Sequence, residues 1–380
     1  MNAILPWNLT ATRARARVEK LLAHADVRLG GHRPFDLHVH DERFFARVLA
    51  EGALGLGESY MDGWWDAPEL DAFIARLMEA RLDQAVIGWA DVIDALAARL
   101  INRQAGRRAF TVGERHYDLG DELYGAMLGA RRVYSCGYWR GATGLDEAQV
   151  AKLDLVARKL QLEPGMRVLD IGCGWGEALK YMAERYGVHG VGITVSRDQA
   201  DYARRLCAGL PIEIRVQDYR EVNEPFARVF SIGMFEHVGV RNYRAYFDVV
   251  QRCLPRHGIT LLHSIGSIRS GVRTDPWIER YIFPNSMLPS AAQITAACEE
   301  RFVLEDWHNF GPDYDLTLQA WRDNIEAAWD RLPARYDERF RRMWRYYLHA
   351  SMAGFRTRRL QLWQVVLARD GVPGGYQAPR

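Results

Sequence analysis

VLDIGCGWGEA, residues 168–178, decides how this 380-residue chain folds. The run RVLDIG (167–172) is apolar and closes on glycine, so it reads as a strand. Gly172, Gly174 and Gly176 follow, and a helix starts at once. Glycines there permit φ > 0 and let a ligand lie against bare backbone. The start of the helix offers free N–H groups to a carboxylate or phosphate. Taken alone, a plain tight strand–helix turn leaves the same trace. Working outward, helices are expected at 147–161, 176–187, 197–209 and 242–253, with strands at 188–194, 212–217, 228–233 and 258–264. This alternation predicts an α/β fold, a parallel, doubly wound sheet with helices on both faces. Further helices near 290–301, 315–331 and 337–356 and a last strand at 361–369 complete it.

The GxGxG spacing differs from the GxGxxG of dinucleotide sites, and Asp170 stands two residues before the first glycine. Together these are typical of S-adenosylmethionine sites, with the amino-acid end of the cofactor in the loop. The second strand of a nucleotide-binding sheet commonly ends in an acid that holds ribose hydroxyls. Here it ends GITVSRDQ (192–199), which offers Thr194, Ser196 and Gln199 instead. The third strand ends VQDY, placing Asp218 and Tyr219 at the carboxyl edge of the sheet, where they could border the adenine.

Upstream, residues 12–25 read as a basic amphipathic helix with Val18, Leu21, Leu22 and Ala25 on one side. Helices are also expected at 42–50, 69–80 and 83–104, with glycine-rich LGLGESYMDGWWD (54–66) as loop or turn. A polar, basic linker near 102–112 suggests two domains: a smaller, mostly helical one over 1–105 and a catalytic one over 106–380.

Composition excludes disorder, collagen and coiled coil: 48% of residues are hydrophobic and 26% charged. Fifty bases nearly cancel 48 acids, so no nucleic acid is expected as a partner. The bases are nearly all Arg, with Lys only at 20, 152, 159 and 180. Charge is uneven along the chain. The stretch 291–330 is acidic and 331–360 basic, which suggests one helix facing another. The first 33 residues are basic with no obvious acidic partner. Five cysteines without CxxC pairing or zinc spacing imply a reduced compartment and no metal site. No run is long enough to span a bilayer, and no secretory signal is expected.

Several further segments occur in order: VGERHYDLGDELY (112–124), VYSCGYW (133–139), SIGMFEHVG (231–239), LLHSIGS (261–267), DPWIERYIFP (275–284), LEDWHNFGPDYDLTLQAW (304–321) and QLWQVV (361–366). With the glycine loop, GITVSRDQ and VQDYR, and with LGLGESYMDGWWD in the first domain, they cover nearly the whole chain. In these segments the chain resembles the bacterial cyclopropane-fatty-acyl-phospholipid synthases. The resemblance implies a Rossmann-like class I methyltransferase sheet of seven strands with added helices. It implies transfer of a methylene from S-adenosylmethionine to a cis double bond of an unsaturated acyl chain in a membrane phospholipid. Tyr134 and Ser135 would then lie against the cofactor with Asp170, Gly172, Cys173, Gly174, Trp175, Gly176, Thr194, Ser196, Gln199, Asp218 and Tyr219. The resemblance further implies a bound bicarbonate as base, caged by Cys136, Glu236, His263, the backbone at Ile265, and Tyr314. Glu236 would accept the bicarbonate's own proton. Each cage residue also has an ordinary use: a small buried thiol, a helix start, a satisfied core His, a loop Tyr.

The resemblance makes residues 1–105 a lipid-docking and dimer-forming segment, with Arg13, Arg15, Arg17, Lys20, Arg107 and Arg108 as candidate lipid contacts. The implied place is the cytoplasm, peripherally on the inner face of the cell membrane, as a homodimer. Two positions depart from relatives. Glu177 follows the last glycine and is expected to point away from the cofactor carboxylate. Ser351 stands where a Cys is common. A related methyltransferase leaving a methyl or methylene branch, or a non-catalytic lipid-binding protein, are the alternatives.

Overall fold

The structure is a computed structural model that describes residues 11–82 and 120–380. The expected helix at 83–104 and the linker near 102–112, with its candidate lipid contacts Arg107 and Arg108, lie outside the described residues. At the N-terminal end four helices pack together: α1 (Ala11–His24), α2 (Arg43–Glu51), α3 (Ala53–Met61) and α4 (Leu70–Glu79). α1 buries Ala14, Val18 and Leu22, one residue per turn, and leaves Arg13, Arg17 and Lys20 exposed. Between α1 and α4 a two-residue ladder pairs His38–Val39 with Trp65–Asp66.

Two expectations fail here. The glycine-rich stretch after residue 52 is a helix, α3, rather than a loop. Its glycines serve close packing: a Cβ on Gly57 would fall 2.4 Å from the Trp277 indole. Two of the N-terminal bases also have acidic partners. Arg15 pairs with Glu19 and Glu42, and Arg33 with Asp26 and Asp36. Glu42 and Asp36 come from a neighbouring helix cap and a loop, which charge counting along the first 33 residues does not reach.

The central sheet contains β1 (Arg167–Ile171), β2 (His189–Thr194), β3 (Ile212–Val216), β4 (Arg228–Ile232), β5 (Ile259–Ser267), β6 (Val303–Asn309) and β7 (Leu360–Ala368). Their order is β3-β2-β1-β4-β5-β7-β6. The first five run parallel, as expected. β7 is inserted antiparallel between β5 and β6, so the sheet is mixed. The helices of the alternating region are α5 (Asp121–Met127), α6 (Leu145–Lys159), α7 (Glu177–Tyr186), α8 (Arg197–Leu206) and α9 (Tyr243–Cys253). Beyond β5 come α10 (Pro276–Tyr281), α11 (Ala291–Cys298), α12 (Pro312–Glu326) and α13 (Glu338–Arg356).

α13 joins the two ends of the chain. Arg345 pairs with Glu326 and Arg356 with Asp315, so the acidic and basic stretches do face each other across α12 and α13. The same helix also holds Asp62, Asp66 and Asp71 of the N-terminal segment through Arg339, Arg342 and Arg356. The apolar side is continuous: Leu22, Phe44, Trp65 and Phe73 share one core with Trp321, Trp344, Leu348 and Phe355.

Candidate active site

The turn after β1 is built for close approach. Gly172 has φ 90°, and a Cβ there would lie 2.7 Å from Met234. Gly172, Cys173, Gly174 and Trp175 line a cavity of about 210 Å³ at the carboxyl edge of β1, β2 and β4. Tyr134, Ser135, Asp170, Thr194, Gln199, Asp218 and Tyr219 line it too, so the structure brings these candidate residues to one wall. Thr194 donates to Gln199 Oε1 at 2.9 Å, which fixes both at the end of β2. Asp218 accepts from the Arg220 backbone and guanidinium, and these bonds hold its carboxyl below the usual range against the opposing effect of burial.

Three residues sit differently from expectation. Ser196 does not reach the cavity wall; it caps α8, accepting from the Gln199 amide at 3.3 Å. Gly176 is the N-cap residue of α7, facing Ala203 of α8, and also lies behind the wall. Glu177 borders the cavity instead of pointing away. Its charge is countered by Arg131 at 3.6 Å, and burial raises its pKa.

A second cavity, of about 570 Å³, adjoins the first. Its far walls are apolar, from Leu22, Phe44, Leu56, Phe73 and Leu77 of the N-terminal helices to Ala350 and Phe355 of α13. Ser351 lines it as well. Tyr134, Ser135, Gly233 and His237 border both cavities. The inner end is polar: Glu236, His237, His263, Ile265 and Tyr314 meet there. Chain geometry explains the meeting. Gly233 and Met234 lead from β4 into a short turn, Phe235–His237, that carries Glu236. His263 and Ile265 are two apart on β5 and so share a face. Tyr314 lies in the first turn of α12.

Glu236 Oε1 accepts from the Ile265 amide at 2.7 Å, so that amide is committed to the carboxyl. Burial pushes the Glu236 carboxyl up to about 7. Near neutrality it can therefore either accept or donate a proton at Oε2, where only acceptance was foreseen. Burial holds His263 well below its usual pKa, hence neutral. Gln364 Nε2 lies 3.3 Å from His263 Nδ1, and with the amide donating, the ring proton rests on Nε2. Cys136 borders neither cavity. Its thiol, kept protonated by burial, donates to Gly137 O and lies 3.7 Å from Thr317 Oγ1. It shares the apolar core in which Tyr314 is packed.

The polar end suits a small oxyanion. Glu236 Oε2, His263 Nε2 and His237 Nδ1 are all buried without a hydrogen-bond partner. Buried polar atoms are ordinarily paired. An anion with both an O–H and free oxygens, as bicarbonate has, would match an acceptor on one side and ring N–H or phenol donors on the other.

Sequence reasoning passed over Gln149 and Lys152, and left His237, beside Glu236, out of the site. The first two were visible in principle: Gln149, Lys152, Val156 and Lys159 fall 3, 4 and 3 residues apart, which puts polar groups on the buried face of α6.

Among solved structures, a mycolic acid cyclopropane synthase complexed with SAH and CTAB matches with a TM-score of 0.64 at 32% identity, over 68% of this chain and 98% of that one. The glycine turn and the cavity it opens on therefore belong to a class I S-adenosylmethionine-dependent methyltransferase. Residues 104–365 match the family described as mycolic acid cyclopropane synthetase. Cyclopropane-fatty-acyl-phospholipid synthase of Escherichia coli (strain K12) is 51% identical over 362 residues, 95% of this chain and 94% of that one. Tuberculostearic acid methyltransferase of Mycobacterium tuberculosis is 32% identical over 363 residues, 89% of this chain and 84% of that one. The chain belongs to the mycolic acid cyclopropane synthetase family.

Proposed function

We propose that this chain transfers a methylene group from S-adenosylmethionine to the cis double bond of an acyl chain in a membrane phospholipid, leaving a cyclopropane ring. The observation that carries this reading is the junction of the two cavities at Tyr134, Ser135, Gly233 and His237. One chamber is polar at its glycine turn and the other is long and apolar, so a sulfonium methyl and an alkene can meet at the shared wall. An alkene is a weak nucleophile, and holding it in line with the methyl supplies much of the rate. The alkene carbon bonds to the methyl as the sulfur–carbon bond breaks, and positive charge is left on the acyl chain.

Aromatic rings surround the place where that charge forms. Tyr134 lies 5.3 Å from Trp321 and 6.4 Å from Phe283, centroid to centroid, and its hydroxyl is 2.9 Å from that of Tyr347. Their faces stabilise a cation at short range. The polar end would hold a bicarbonate, which would supply a base for the proton that the added methyl loses as the ring closes. Glu236, His263 and Tyr314 orient it, with the Ile265 amide fixing Glu236 and Cys136 packed behind Tyr314.

The N-terminal segment, residues 1–105, serves as the lipid-docking and dimer-forming domain on the catalytic domain of 106–380. No described helix is long and apolar enough to cross a membrane. Contact with the cytoplasmic face of the cell membrane is peripheral. The exposed Arg13, Arg17 and Lys20 of α1 favour anionic lipid by roughly 1 kcal/mol each. At the cavity mouth Arg269 and the exposed Ile268 offer a further contact.

Incubation with S-adenosylmethionine and vesicles of mixed unsaturated phospholipids, followed by mass analysis of the fatty-acid methyl esters, tests the reading. A ring adds CH2 and resists hydrogenation as an alkene would not. The similarity to tuberculostearic acid methyltransferase favours a second outcome, a branched chain, which a methylene or methyl branch in the same spectra would reveal.

A further inference from the structure

Lys152 is a charged side chain with no exposure at all, on the wall of the smaller cavity. Such burial is rare for Lys unless the ammonium has a partner. Its hydrogen bond among the described residues goes to Ser135 Oγ, 2.7 Å away. An ammonium has three N–H donors, so two are left over. Asp170 lines the same cavity from the end of β1. It senses the Lys152 charge, yet its Oδ1 is buried with no hydrogen-bond partner. A buried cation and a buried acid thus face one small space without bonding to each other. The matching ligand is one that carries both charges on adjacent atoms, as the α-amino acid end of a methionine derivative does.

We propose that Lys152 recognises the carboxylate of S-adenosylmethionine, directly and through the Ser135 hydroxyl that it orients. Ser135 lies beside the junction with the larger cavity, so the same contact sets how far the sulfonium reaches toward the acyl chain. Burial pushes the Lys152 ammonium down to about 7, with the nearby Asp170 opposing. His263 is a further titratable group that senses its charge. A carboxylate arriving beside Lys152 favours its protonated form, and binding takes up a proton at pH 8.

The test compares two ligands, S-adenosylmethionine and its decarboxylated analogue, which keeps the ammonium and the sulfonium and lacks only the carboxylate. Binding is measured calorimetrically without lipid. Lys152→Met weakens S-adenosylmethionine by roughly 10- to 100-fold, as loss of a hydrogen bond to a charged group would. It leaves the decarboxylated analogue unchanged, and Lys152→Arg recovers most of the loss. Equal weakening of both ligands would mean that Lys152 only props up the Ser135 loop, and no weakening of either would mean that it faces no ligand; each overturns the proposal. Should Lys152→Met fail to fold, Lys152→Gln takes its place: it keeps polar atoms in the buried position but carries no charge, and the same comparison of the two ligands decides.

Discussion

Replacing Glu236 with Gln separates the catalytic use of this carboxyl from its cost. Burial raises the group from 4.5 to about 7, which disfavours its ionised form by about 3 kcal/mol. The native pKa lies above the unfolded one, so the native state holds the proton longer. The stability associated with the protonated group is complete below about pH 4.5 and is lost as pH rises through 7. Gln cannot ionise, yet its carbonyl can still accept from the Ile265 amide. The variant and the parent should then lose stability differently between pH 5 and pH 8, with the variant gaining by about 2–3 kcal/mol across the window. Unfolding entropy near 2.1 cal/mol/K per residue makes this about 3 °C in Tm for a chain of this length. Thermal unfolding of both proteins at matched ionic strength reads it directly, alongside turnover on unsaturated phospholipid vesicles. Turnover should collapse while S-adenosylmethionine affinity holds. A Tm difference that stays constant across the window would refute the buried, partly protonated carboxyl, and near-normal turnover would remove Glu236 from the cage.

Tyr314→Phe should lower kcat much more than S-adenosylmethionine affinity, because the phenol belongs to the polar end of the larger cavity only; equal losses in single-turnover and binding measurements would count against it. Thr317→Val strands the buried Gly137 amide at 3.1 Å and the half-buried Trp139 indole at 2.9 Å, and should cost about 1–3 kcal/mol in denaturant unfolding. Changing Arg13, Arg17 and Lys20 together to Ser should weaken sedimentation with anionic vesicles by up to about 3 kcal/mol and leave neutral vesicles unaffected; unchanged binding would take α1 out of the docking surface.

Much of the fold was legible because it is written locally. β1 to β5 and their helices announce themselves through apolar runs, glycine ends and helical periodicity. β6 does not. VLEDWHN mixes acids with exposed Val303 and Leu304, since it is an edge strand with one side toward water. The reversal of β7 carries no local mark either, because strand direction is set by neighbours distant in the chain. α3 misled for a related reason: its Gly57 answers to Trp277, more than 200 residues away in the chain. At the site, the family motifs brought Glu236, His263, Ile265 and Tyr314 to one wall, while Cys136 fell behind it. Lys152 escaped attention because a basic residue on an amphipathic helix ordinarily faces water; its spacing with Gln149 and Val156 marks the buried face, and packing against Ser135 shows what it meets there.

Among the described residues, four belong to both chambers: Tyr134, Ser135, Gly233 and His237. Donor and acceptor preferences are therefore largely modular. Enlarging Leu77 or Met78, which line the larger cavity and not the smaller one, should narrow the range of chains admitted without touching the donor. Changes at the four shared positions are pleiotropic and move both preferences at once. A lineage of such enzymes can thus track the changing lipids of its membrane through one wall while its use of the methyl donor stays put.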